Sequence, residues 1–255
     1  MQILISRYKW LAILVVLLIG FAIGKIIFYP PPLMLERVSP LICPEARYFF
    51  EVDEPLIALT IDDSPDNNHL FPHTTIGILD VLAQYKAKAT FFIITNKAQE
   101  SSELLQTMVN QGHELGNHLT EDEASIKLGD RFTEEFLIAD RFLKQYATIR
   151  WFRPGHGWCN ASMSQVVRRY NYQIALGSIW SYDTNISSAE FSRWYIQNNI
   201  RPGSIIILHD SDAQSDRIGE NTIHTLQQII PQLQRQGYQF VTLSELEQKS
   251  QANAH

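Results

Sequence analysis

An α/β fold built on a mainly parallel sheet is predicted by three features of the sequence. Short β-branched or aromatic runs alternate about seven times with longer amphipathic segments, the pattern of a parallel sheet either open or closed into a barrel. The chain has 255 residues, enough for one sizeable domain with a full hydrophobic core. Side chains capable of chemistry also fall just after the strand runs, where both architectures place their reactive groups.

The N-terminal stretch stands apart from this alternation. Trp10 to Gly24 carries no charged or strongly polar side chain and follows Arg7 and Lys9. As a helix it spans about 22 Å, short of the roughly 30 Å hydrocarbon core. Ile26, Ile27 and Phe28 lengthen it past Lys25, whose stem can snorkel to the headgroups. The expectation is one N-terminal membrane helix over residues 1–28, with the basic end cytoplasmic and the rest exported. Ala22-Ile23-Gly24 also suits a cleaved signal peptide, which exports the domain equally well, and a buried core helix is the third reading. Tyr29-Pro30-Pro31-Pro32 breaks any helix and opens a linker over 29–44. The folded domain is placed at 45–249, with a frayed tail over 250–255.

Within the domain the expected strands are Leu56–Ile61, Ala89–Ile94, Glu114–Gly116, Trp151–Arg153, Gln173–Leu176, Ser204–Leu208 and Gln239–Thr242. The expected helices are Thr74–Tyr85, Ser102–Gln111, Thr133–Tyr146, Ser162–Tyr170, Ala189–Asn199 and Asn221–Gln236. In the last of these, Ile223, Leu226, Ile229, Ile230 and Leu233 share one face.

Composition narrows the function. A net charge of −6 with no Lys/Arg stripe argues against nucleic acid, because neutralising phosphates needs a basic surface. Cys43 and Cys159 are too few for a disulfide-stapled scaffold or a thiolate zinc site. They can form one bridge in an oxidising compartment or remain two buried thiols, and the sequence leaves both open.

The strand ends carry the chemistry. The first run ends in Asp62-Asp63-Ser64-Pro65, a carboxylate pair that is costly unless its repulsion is offset, in residues that also form turns. The third ends in His118, with Asp122 four positions on; if that segment curls helically the two face the same way and can share an ion. Glu121 and Glu123 compete with Asp122 for the ligand role. The fourth gives Arg153-Pro154-Gly155-His156-Gly157, where an arginine can hold a carboxylate and a turn can present backbone N–H groups. Ser204–Leu208 leads into His209, a candidate general acid or further ligand. Trp158, Trp180 and Trp194 are available to line a groove, with core or rim packing as the plainer reading.

In that order these residues resemble carbohydrate esterase family 4, the polysaccharide deacetylases with a NodB-homology domain. The resemblance runs from about Ile57 to about Leu246. The family's T-F-D-D-G-x motif is similar to Thr60-Ile61-Asp62-Asp63-Ser64-Pro65, and R-P-P-Y-G to Arg153-Pro154-Gly155-His156-Gly157. Lys88-Ala89-Thr90-Phe91-Phe92, Gly112 to His118, Leu208-His209 and Gly237 to Leu243 resemble further family phrases. The resemblance implies a distorted (β/α) barrel of about seven repeats, a divalent metal ion with zinc the first choice, and an acetylated polysaccharide as substrate. It implies Asp62 as general base oriented by Arg153, and Asp63, His118 and Asp122 as metal ligands. His209 becomes the acid with Asp183 as its partner, while the His156 backbone and Leu208 touch substrate.

This sequence departs from the family at four places, one of them the closing Asp-Trp of the fourth motif, which Trp180-Ser181-Tyr182-Asp183 matches only loosely. The second histidine of the H-S/T-x-x-H motif is Asp122, Ser64 replaces a glycine, and His156 stands where tyrosine is usual. Two carboxylates and one imidazole make a harder site, which moves the balance toward manganese, magnesium or calcium. The resemblance also leaves open an inactive carbohydrate-binding member of the same fold, or a deacetylase acting on O-acetyl sugars.

Overall fold

The computed structural model describes residues 2–28, 37–38, 41, 43, 45–66, 73–211 and 217–253, with side chains in the first helix from 9 to 24. In chain order the elements are α1 (Gln2–Phe28), β1 (Ala46–Arg47), β2 (Leu56–Ser64), α2 (His73–Tyr85), β3 (Thr90–Ile93), α3 (Thr95–Ala98) and α4 (Ser102–Asn110). They continue with β4 (Glu114–Asn117), α5 (Phe132–Leu143), β5 (Trp151–Phe152), α6 (Ala161–Arg169), β6 (Gln173–Ala175) and β7 (Ile179–Trp180). The chain finishes with α7 (Ala189–Asn199), β8 (Ile205–His209), α8 (Arg217–Arg235), β9 (Gln239–Val241) and α9 (Leu243–Asn253).

The strands form one sheet in the order β1-β6-β5-β4-β3-β2-β8-β7, with β9 paired to β2. Every strand pairing is parallel. The sheet curls into a half-barrel, and an antiparallel bridge from Phe49 to Ser204 draws the chain after β1 toward β8. β2 is central and buried along its whole length, which explains its near-continuous apolar run. Parallel register brings the carboxyl ends of β2, β3, β4, β5 and β8 to one rim, with Asp62 opposite His209 and Asn117 opposite Phe152.

All seven expected strands form. The two not expected, β1 and β7, are each two residues long, too short for a period to show. α8 starts at Arg217 and passes through Pro231. Proline there donates nothing to the Gln227 carbonyl, which instead lies 3.5 Å from the Tyr85 hydroxyl. The C-terminal α9 reaches Asn253, beyond the expected start of a tail.

The expected membrane crossing finds no support here. Among the described residues no helix is long and apolar enough to cross a membrane. The side chains described in α1 are those of residues 9–24. Nearly all of them are exposed, Trp10, Val16 and Phe21 among the most so.

Helices pack on the sheet through a core that includes an aromatic cluster. Phe136 is fully buried and its ring meets Phe132, Phe152, Tyr170 and Tyr172 at centroid distances of 6.0, 5.5, 6.0 and 5.0 Å. This cluster backs β5, the strand that delivers Arg153. Phe136→Ala is expected to cost about 3–5 kcal/mol of unfolding free energy, read from urea denaturation with an unchanged m-value.

Candidate active site

Neighbouring residues of one strand point to opposite sides, yet Asp62 and Asp63 both line one pocket. Asp63 manages this because its φ of 62° turns the backbone at the end of β2. Two hydrogen bonds hold that turn from behind. Lys97 Nζ donates to the Asp63 carbonyl at 3.2 Å, and the Ser211 hydroxyl donates to the same oxygen at 3.2 Å.

Asp62 is paired with Arg153 at 2.5 Å, and both side chains are almost wholly out of water. The guanidinium is fixed from several sides. It donates to Thr60 Oγ1 at 2.7 Å and to the Ala175 carbonyl at 2.9 Å, and lies 4.0 Å from the centroid of the Phe92 ring. Its Nη2 atom has no protein partner among the described residues. Burial lowers the Arg153 pKa and the Asp62 charge opposes that fall.

His118 enters from the end of β4. Its Nδ1 sits 2.7 Å from the Arg153 carbonyl, which can only accept, so Nδ1 carries the proton. Nε2 therefore faces Asp63 Oδ1 across 3.2 Å with a lone pair, and two acceptors so placed require a proton or a cation between them. The electrostatics register the same demand. Burial pushes the His118 pKa down, but its bond to Asp63 and the charges of Asp62 and Asp63 raise it. Burial pushes Asp63 up, yet His118, His209 and Lys97 draw it down to about 2.

His209 closes the opposite side. Its Nδ1 lies 3.0 Å from Asp183 Oδ1, and Asp183 Oδ2 accepts from the His209 backbone N–H at 2.8 Å. Burial disfavours the imidazolium, but Asp183, then Asp63 and Asp62, push the pKa up to about 10. The ring is thus charged at neutral pH and has a proton to give.

The segment after His118 does not curl helically. Leu119 takes a φ of 70° and the chain runs on as a loop. That loop still brings Asp122 to the same pocket, where burial and then repulsion from Asp63 raise its pKa. The loop is set by Gly155, since a Cβ there would stand 2.1 Å from the Glu123 carbonyl. His156 also lines the pocket, with φ at 60°. Leu208 does not. It is fully buried in the core, because strand alternation aims Ile207 and His209 at the pocket, and the apolar lining comes from Ile207 and Leu176. Trp158 and Trp180 are on the wall; Trp194 packs on Phe191 outside it.

Among the described residues no three His, Cys, Asp or Glu side chains are drawn together as a metal-holding group. The donor chemistry nonetheless fits a divalent ion. An imidazole whose far nitrogen is tied to a carbonyl meets a carboxylate at hydrogen-bond range, and a second carboxylate lines the same pocket.

A further group was not visible in the sequence. Asp210 and Asp66 are both buried behind the site, bridged by the Thr74 hydroxyl at 2.7 and 2.9 Å. Ser64 and Thr75 donate to Asp210 Oδ2 at 2.9 and 2.6 Å, so the serine at the family's glycine position has a partner. One hydroxyl proton cannot serve both carboxylates, and burial, with repulsion from Asp66, raises Asp210 to about 6. A protonated Asp210 donating to Thr74, which donates to Asp66, satisfies the network.

Comparison with known proteins gives a consistent result. A family profile described as polysaccharide deacetylase matches residues 51–175. A peptidoglycan-N-acetylglucosamine deacetylase of Bacillus cereus is 34% identical over 199 residues, covering 76% of this chain and 89% of the relative. A chitooligosaccharide deacetylase of Bradyrhizobium is 31% identical, covering 74% and 90%. The crystal structure of the Bc1960 peptidoglycan N-acetylglucosamine deacetylase superposes with a TM-score of 0.69 at 27% identity, covering 78% and 91%.

The buried acid pair has a measurable consequence. Asp210 is raised from 3.8 to about 6, so its contribution to stability is complete below pH 3.8 and is lost as pH rises through 6. Asp210→Asn keeps a neutral side chain, and its stability relative to the native protein should rise by on the order of 2–3 kcal/mol between pH 4 and pH 7. Paired denaturation curves across that range check this; a constant difference contradicts it.

Proposed function

Because this chain belongs to the polysaccharide deacetylase family, whose named relatives hydrolyse carbon–nitrogen bonds, we propose that it removes acetyl groups from N-acetylglucosamine units of a chitin- or peptidoglycan-type polymer. One observation carries the reading: Asp62, ion-paired to Arg153, and His209, charged through Asp183, line the same pocket of about 450 Å³.

The chemistry follows from those two groups. Asp62 accepts a proton from the water whose oxygen attacks the acetyl carbon. Arg153 holds that carboxylate in place throughout. The His156 backbone N–H is the candidate donor to the oxygen on which charge develops. As the carbon–nitrogen bond breaks, the electron pair goes to nitrogen and His209 supplies its proton. The products are acetate and a free amine, and exchange with solvent resets Asp62 and His209. Asp63, His118 and Asp122 are the residues that would hold a divalent cation, zinc first and manganese or magnesium as alternatives. A bound cation of this kind supplies Lewis acidity toward water and the acetyl carbonyl.

Location belongs to the same proposal. The described side chains of α1 are apolar on all sides and exposed, apart from Lys9, a surface that calls for lipid or a protein partner. Cys43 and Cys159 are joined in a disulfide, a bond that persists in oxidising compartments. The disulfide supports an exported domain, and the exposed apolar helix is what would tether it. Membrane fractionation with alkaline washing should leave the full chain in the pellet and release a chain lacking residues 1–28; full release of both contradicts the tether.

Acetate release from chitooligosaccharide, peptidoglycan and acetylxylan, assayed side by side, tests the substrate reading. The N-acetyl polymers should be preferred, and turnover of acetylxylan alone would overturn it. Asp62→Asn is expected to keep bound metal and lose 10²–10⁴-fold in kcat, whereas Asp63→Ala loses the metal itself. Equal metal content in the two variants refutes that division of roles. Asp183→Asn should shift the alkaline limb of the pH–rate profile to lower pH, because His209 loses the first of the charges that keep it protonated.

A further inference from the structure

A cluster of cations lies at the end of the sheet opposite the pocket. Strand β5 separates the two: Arg150 precedes it with an exposed head, and Arg153 follows it into the site. Arg150 pairs with Glu247, which also accepts from Gln173, and the Gln173 side-chain oxygen accepts from Arg47 at 3.5 Å. Arg141 lies in the last turn of α5. Lys144, just beyond it, stands 5.7 Å from the centroid of the Tyr172 ring, which joins this end of α5 to the start of β6. Arg168 and Arg169 end α6, and Arg168 pairs with Glu45 at 2.8 Å. All six cations are exposed. The carboxylates paired with them are Glu45, Asp140 and Glu247, of which the last two are buried. Arg47, Arg141 and Arg169 make no ion pair among the described residues.

Helix dipoles account for part of this arrangement, since a cation in the last turn of α5 or α6 meets the carbonyl end of its helix. They do not account for Arg47 and Arg150, which sit beside strands, where net dipoles are small. The opposite end has the other sign. The loop after His118 carries Glu121, Asp122 and Glu123, in a chain of net charge −6. An anionic surface attracts the basic end and repels the acidic one. The point where the chain enters the domain indicates which surface that is. Glu45, bound to Arg168, and Arg47 stand at the first strand, and residues 29–44 connect them to the exposed apolar helix α1. At full stretch that connection spans roughly 60 Å. A lipid surface holding α1 is thus presented to the basic end at high effective concentration, and a weak attraction suffices.

We propose that this basic end is the face the domain lays against an anionic lipid surface, so that the pocket opens away from the bilayer. This rests on the tether of the location reading above and adds an orientation to it. Phosphate-bearing headgroups are the chemistry that exposed guanidinium groups recognise. No residue of the pocket takes part.

The test places the full chain on vesicles of phosphatidylcholine alone, or of phosphatidylcholine and phosphatidylglycerol in two-to-one ratio, and follows amide hydrogen exchange. At low salt, amides in 144–150 and 168–172 should exchange at least about threefold more slowly on the anionic vesicles, and about 0.5 M salt should remove the difference. The variant Arg47→Gln, Arg141→Gln, Arg169→Gln breaks no ion pair. It should lose most of that protection, at about fivefold in surface affinity per charge, and release acetate from chitotetraose at the native rate. Equal exchange on the two vesicle types, protection that survives about 0.5 M salt, or full protection in the variant overturns the docking. Protection of 118–123 and 154–158 in place of the basic end overturns the orientation. Protection by soluble polyphosphate that anionic vesicles do not reproduce assigns the face to an anionic polymer and overturns the lipid surface. Full chain that sediments with neither vesicle type sinks the tether reading and the docking together, whereas chain held by both with no protected segment sinks the docking alone.

Discussion

The ion pair between Asp62 and Arg153 sits where the sheet is most enclosed, and its surroundings are arranged around the cost of putting it there. Removing either partner would leave an uncompensated charge out of water, a loss of about 3–5 kcal/mol. The strand ends absorb that cost jointly. β2 supplies the carboxylate and Thr60, β5 leads into the arginine, β6 gives the Ala175 carbonyl and β3 the Phe92 ring beneath the guanidinium. A guanidinium delivered by β5 and gripped by three other strands also fixes how those strands sit relative to one another. The pair is therefore a positional reference for the rim as well as part of the proposed catalytic site.

Once Arg153 has engaged Asp62, the next carboxylate in the chain needs a different counter-charge. Asp63 turns away through its positive φ, meets His118, and draws on Lys97 and His209 at longer range. His209 in turn depends on Asp183. Charge alternates around the pocket, and it draws Asp63 toward its ionised form and His209 toward its protonated one, as sites that need both a base and an acid require.

Much of this was legible in the sequence because parallel strands expose their chemistry at one end. Asp62, Asp63, His118, Arg153 and His209 each follow an apolar run, and a reader who places the runs has placed the rim. The residues that escaped notice lack such a marker. Lys97 lies in a four-residue helix whose pattern says nothing of burial, yet its ammonium reaches the Asp63 carbonyl. Asp210 directly follows His209, and nothing local in the sequence marks it as buried among three hydroxyls. Leu208 was misplaced for a plain reason: one step along a strand reverses the face, and the motif position offered no independent register. Asp122 reached the pocket by a loop held by Gly155 rather than by a helical turn, a contact that no local period encodes. The Cys43–Cys159 bridge lay beyond sequence reading because it depends on two loops meeting.

The division of labour between two adjacent aspartates is the claim on which the account stands, with one carboxylate answered by an arginine and the other left for an inorganic cation. Stripping the purified chain with a chelator and following acetate release from chitotetraose addresses it directly. Activity should fall at least about a hundredfold and return on adding back zinc or manganese, with the far-ultraviolet spectrum unchanged throughout. Undiminished hydrolysis by fully stripped protein would contradict it.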